Sequence, residues 1–161
     1  MATISPGPRP ERWTRAEVLE QVASAPADAA ALVDTAEAIL RWADSKAPFL
    51  RVLGGRGHTD RSLIMYAGPG RGKGVVTLYG AENDGGPMLE IHIDYMATLS
   101  HRSDQDTRTR LVASLSTCGV PRLQASDVPT MVRPNVPLSQ LADGHLQPLL
   151  SVLDGWLAEL G

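Results

Sequence analysis

The sequence predicts an α+β fold: an antiparallel sheet of about four strands, joined as a meander, with two helices before it, a third after it and a fourth at the C-terminus. Three observations carry this expectation. Apolar residues recur at helical spacing up to Ser45 and again over the C-terminal segment, whereas between Phe49 and Met96 they alternate with polar ones in the two-residue period of half-buried strands. The connections within the alternating region are short and rich in glycine. Such connections favour antiparallel neighbours, because a parallel crossover consumes about a dozen residues or more.

Residues 1–12 hold Pro6, Pro8 and Pro10 without periodicity, so they read as a flexible arm ahead of one domain over 13–161. Thr14 followed by Glu17 has the form of a capping box, and Val18, Leu19 and Val22 supply an apolar stripe, which predicts a first helix over 14–23. After Pro26, the residues Leu32, Val33, Ala36, Ile39, Leu40 and Ala43 predict a second helix over 27–45. Beyond Pro48 the period changes to alternation, and strands are expected over 49–53, 61–67, 74–79 and 88–96. Ser103 and Asp106 are spaced as a helix start, and Gly119 with Pro121 marks the stop. The proline-broken stretch after it leaves room for one short extended piece around Met131 to Arg133. Leu146, Leu149, Leu150, Leu153, Trp156, Leu157 and Leu160 then outline an amphipathic C-terminal helix.

Composition narrows the function classes. The chain has 161 residues, 43% hydrophobic and 20% charged, ordinary usage for one globular domain. No apolar run approaches the roughly 18 residues that span a bilayer, so no membrane partner is expected and the cytoplasm is the expected location. The single cysteine, Cys118, cannot form an internal disulfide and reads as a packing residue at a helix end. A net charge of −3 argues against a broad electrostatic grip on nucleic acid, while a local basic patch stays possible. Only Lys46 and Lys73 among the fifteen basic residues are lysines, which together with abundant alanine suggests a GC-rich bacterial coding sequence.

The candidate chemistry sits on the fourth expected strand. Alternation places Leu89, Ile91, Ile93 and Tyr95 on one face and Glu90, His92 and Asp94 on the other. Three titratable groups in one row are the candidate catalytic or metal-ligating set, although the lysine that accompanies such acids in metal-dependent nucleases is missing. The run from Ala67 to Gly74 resembles a phosphate-binding loop, but it lacks the first glycine, the hydroxyl after Lys73 and a following helix. A hairpin turn explains its glycines, with Arg71 and Lys73 able to contact an anion. Arg56, His58 and Arg61, around Asp60, form a second polar loop, and Tyr79 ends the third strand. No motif asks for a cofactor.

Trp42-Ala43 ahead of Arg51-Val52-Leu53-Gly54-Gly55, then Arg110-Leu111 through Cys118-Gly119-Val120, and Pro137-Leu138 through Leu153-Asp154-Gly155-Trp156, resemble a poorly characterised bacterial α+β domain, a module sometimes appended to nuclease or defence-related proteins. The resemblance implies architecture and assigns no catalytic residue. The first functional expectation is a non-catalytic binding or accessory module. It would use an open sheet face carrying Glu90, His92 and Asp94 with Arg51, Thr77 and Tyr79, and its Gly-rich hairpins, to engage a protein, a nucleic acid or a second copy of itself. A small metal-dependent hydrolase centred on the same row is the alternative, and a small-ligand-binding or resistance protein with a pocket between helices and sheet is the third.

Overall fold

The computed structural model describes residues 11–56, 61–68, 74–81, 86–94, 104–124 and 133–160. Helix α1 spans Arg15–Ala23 and α2 spans Ala29–Ser45. Four consecutive strands follow, β1 (Leu50–Gly54), β2 (Ser62–Ala67), β3 (Gly74–Tyr79) and β4 (Met88–Ile91). Helix α3 (Asp104–Leu115) runs into a tight turn at Ser116–Cys118, closed by Gly119 with φ 77°. A short strand β5 (Asn135–Pro137) leads through a broken helical segment, non-helical at Asp143 and Gly144, into α4 (Leu146–Leu160).

The sheet order is β1-β2-β3-β4-β5 with every pair antiparallel, so the meander expected from the short connections is present with one strand more than four. The extra strand lies two residues beyond Arg133, where the extended piece was expected to end. Its proline at 137 is tolerated because β5 pairs only with β4. The fourth strand is shorter than 88–96: it ends at Ile91, and Ile93 and Asp94 already have helical backbone. Tyr95 and Met96 lie outside the described residues.

Cross-strand register sorts the side chains. Leu63, Leu78, Leu89 and Val136 stand opposite one another in one row, and Val52, Met65, Val76 and Ile91 in the next. Both rows join one hydrophobic cluster with Ile39 and Leu40 of α2, Leu111 and Leu115 of α3, and Leu149 and Leu153 of α4, so this face and the larger helices share one core.

The N-terminal segment is tied to the sheet. Thr14 caps α1 reciprocally with Glu17: the Glu17 N–H donates to Thr14 Oγ1 at 3.2 Å and the Thr14 N–H to Glu17 Oε2 at 2.8 Å. Ahead of it, Arg12 Nη1 donates to the Gly54 carbonyl at 2.9 Å and the Trp13 N–H to the Gly55 carbonyl at 3.0 Å. Arg12, the last residue of the expected arm, and Trp13 are therefore anchored, and Trp13 packs half-buried on the core. Glycine makes this possible. A Cβ on Gly54 would lie 1.8 Å from the Trp13 carbonyl oxygen, and one on Gly55 would lie 2.0 Å from Ser62 Oγ. The pair permits close approach, where the sequence suggested only a turn.

Elsewhere α2 is held to α4 through Asp154, whose Oδ1 accepts from Trp42 Nε1 at 2.7 Å and from Lys46 Nζ at 2.8 Å. Trp42 and Trp156 are core residues.

Candidate functional site

The face of the sheet away from the helices carries a second set of rows. Leu53, Ile64, Thr77, Glu90 and Asn135 stand opposite one another across all five strands, with Arg51, Tyr66 and Gly74 in the row beside them. Between Met65 and Tyr66 the β2–β3 register slips, so Val75 is an extra residue on β3. Bulges of this kind turn the chain and re-aim its side chains. Here the carbonyl of Val75 accepts the His92 N–H at 3.0 Å, which extends the β3–β4 pairing one step past Ile91 and fixes His92 beside Thr77 and Glu90.

His92 is the centre of a buried polar cluster. Its Nε2 lies 3.0 Å from Thr77 Oγ1 and 3.1 Å from Glu90 Oε1. Thr77 is 2% exposed, His92 8%, and the Glu90 side chain 13%. An open, solvated row was expected from the alternation. Alternation reveals which face a side chain takes, and whether that face is covered depends on distant parts of the chain, so this half of the face is closed.

The geometry decides what the cluster can do. A ring nitrogen has either one hydrogen or one lone pair, and both oxygens address the same nitrogen. Nε2 and Thr77 Oγ1 form a hydrogen bond whose direction the tautomer sets, and the Glu90 carboxylate stands beside the same nitrogen at ion-pair distance. A nucleophile–histidine–acid relay needs the acid on one ring nitrogen and the hydroxyl on the other. Among the described residues the acid and the hydroxyl stand at one and the same ring nitrogen, so that relay is not formed by these three groups. The Nδ1 edge of the ring lies over Gly74, 3.7 Å from where a Cβ would stand, and that Cβ would meet Ile64 Cγ2 at 2.6 Å. Gly74 thus leaves the gap that the imidazole occupies.

Asp94 does not join the cluster. With the strand ended at Ile91, its carboxylate turns to Arg133, whose Nε is 3.6 Å from Oδ1. That distance makes an ion pair but not a hydrogen bond, and Asp94 Oδ1 and the neighbouring Asn135 Oδ1 are buried acceptors without a hydrogen bond among the described residues. No three His, Cys, Asp or Glu side chains among the described residues gather to hold a metal ion.

No family model, curated protein or solved structure matches the chain. Nor is any helix among the described residues long and apolar enough to cross a membrane.

The other expected site residues separate. His58, Arg71 and Lys73 lie outside the described residues. Arg56 is exposed just beyond β1. Arg61 is committed internally: Nη1 donates to the Glu17 carbonyl at 2.9 Å, the guanidinium stands 5.2 Å from the centre of the Trp13 ring, and Glu20 is 3.5 Å away. It fastens α1 and Trp13 to the sheet. Tyr79 is half-buried at the end of β3, opposite Ser62 and Met88. Toward β1 the outer face opens: Leu53 is 39% exposed, and Arg51, Ile64 and Tyr66 are half-buried. Arg133 and Asn135 escaped the sequence reading because they lie in a proline-broken stretch with no period to place them on a face.

Proposed function

We propose that this chain is a non-catalytic binding module that docks a protein partner on the β1–β2 half of the outer sheet face. The observation that carries the reading is Leu53, exposed in one row with half-buried Ile64 and beside Arg51 and Tyr66. An apolar centre flanked by tyrosine and arginine has the composition of a protein interface. The negative net charge supports a protein over a nucleic acid. The Glu90–His92–Thr77 cluster is then a rigid polar floor beside the docking area. A metal-dependent hydrolase receives less support, since Glu90 and His92 face each other and Asp94 faces Arg133.

Selection of displayed peptides on the wild-type chain, followed by titration against the double variant Leu53→Asp, Tyr66→Ala, tests the reading. Enriched peptides should lose at least about tenfold in affinity on the variant. If the partner is a second copy, light scattering should show a dimer that the variant lacks. Equal binding to both proteins by every enriched peptide, with a chain monomeric at all concentrations, would overturn the proposal. So would retention of duplex or single-stranded DNA that weakens steeply with salt.

A further inference from the structure

At the opposite end of the strands from the Gly68 turn, a cavity of about 450 Å³ opens between the α1–α2 connection, the ends of β3 and β5, and the start of β4. We infer that it is a binding site for a small neutral molecule with an apolar ring and a carbonyl acceptor. The site is separate from the outer sheet face, and the inference does not rest on the function proposed above.

Its walls are stiff. Pro26, Pro87 and Pro137 line it from three different segments, and their rings fix the backbone locally. The Leu138 N–H donates to the Pro87 carbonyl at 3.0 Å, which holds two of these walls together. The third follows α1, which Gly80 draws in: a Cβ there would stand 2.6 Å from Gln21 Oε1 and 3.0 Å from the Val18 carbonyl oxygen. On the same connection Asp28 has φ 54°, the one non-glycine residue in the left-handed region among the described residues, and its side chain makes no cap bond to α2. Strained backbone of this kind persists where the surroundings determine it and clusters at binding sites.

The lining chooses the ligand. Among the described residues no charged side chain lines the cavity, and Ala25, Leu32 and the prolines give it an apolar body. Its volume falls within the usual range of ligand pockets. Gln21 is the polar anchor. Its Oε1 already accepts the Arg61 N–H at 3.2 Å, so its amide NH₂ is the group left for a ligand, and it donates only. A carbonyl acceptor on an uncharged, ring-sized body matches that arrangement.

The test is titration of the whole chain with N,N-dimethylbenzamide followed by backbone amide NMR, with benzoate and benzylammonium as charged controls. Saturable shifts should concentrate at Ser24, Ala25, Leu32, Gly80, Ala81 and Ser139, and each control should bind at least about tenfold more weakly. Gln21→Glu keeps the acceptor that the Arg61 N–H needs while removing the donor at nearly constant shape. It should cost at least about tenfold in affinity. Ala27→Trp, at an exposed lip position, should plug the cavity and abolish the shifts while those of Leu78 and Leu89 stay in place. No saturable shift at the cavity, equal binding of either charged control, or unchanged binding by both folded variants would each overturn the assignment.

Discussion

At Gly54 a hydrogen stands where any other residue would drive a carbon into the Trp13 carbonyl, and the obstacle is main chain, which cannot swing aside like a flexible side chain. Gly54→Ala is expected to cost about 1–3 kcal/mol in urea unfolding. Gly155 is the counter-case: it is exposed within α4, and a Cβ there meets nothing within 4 Å. Gly155→Ala is expected to add about 0.5–1 kcal/mol, because helical glycine gives up more backbone freedom than alanine. Reversed signs for the two variants would contradict the strap geometry. In the sequence Gly155 falls within a helical pattern while Gly54-Gly55 reads as turn chemistry; the demand at 54 comes from a segment some forty residues earlier. His92 teaches the same lesson. Its alternation with Ile91 and Ile93 placed it on the polar face, but its position depends on the Val75 bulge and on empty space at Gly74, which no period encodes.

Helices and strands with a strong local signal were legible. Thr14 and Glu17 form the capping box their spacing predicts, and Gly74–Tyr79 has the expected bounds. β5 was not, since Pro134 and Pro137 bracket a segment too short to show alternation. What joins elements was also hidden, and the Trp42–Asp154–Lys46 tie between α2 and α4 is an example. Partial burial alone would push the Asp154 carboxyl up; the bonds from Lys46 and Trp42 outweigh it and hold the group below its ordinary value. A carboxyl lowered on folding stabilises the fold fully above its unfolded value, about 4, and loses that contribution as pH falls through the folded value. The stability gap between wild type and Asp154→Asn should therefore be larger near neutrality than at about pH 3 in parallel urea titrations. A gap that is constant or widens in acid would contradict the tie.

At the scale of the molecule, the described residues form one hydrophobic cluster that runs from Val18 to Leu157 and draws on helices and sheet alike. One cooperative unfolding transition is expected, with far-ultraviolet dichroism and tryptophan fluorescence giving superimposable curves. Trp42 and Trp156 report the core and Trp13 the N-terminal strap, so an early fluorescence change would mean that the strap detaches first. The strap also acts on the sheet's rim. On β1 the Phe49 carbonyl and the Gly55 N–H bond to the β2 side, so residues 50, 52 and 54 turn their main-chain groups outward. Of these, the Leu50 N–H is taken by the Lys46 carbonyl and the Gly54 carbonyl by Arg12. On the other rim, β5 has three residues and ends in proline. Neither border offers a long template on which another chain could continue the ladder. On the docking face proposed above, recognition would then rest on side chains instead of backbone: a partner would have to fit Leu53 and its neighbours by shape, so its choice could be altered by point substitutions while the risk of runaway stacking stays low.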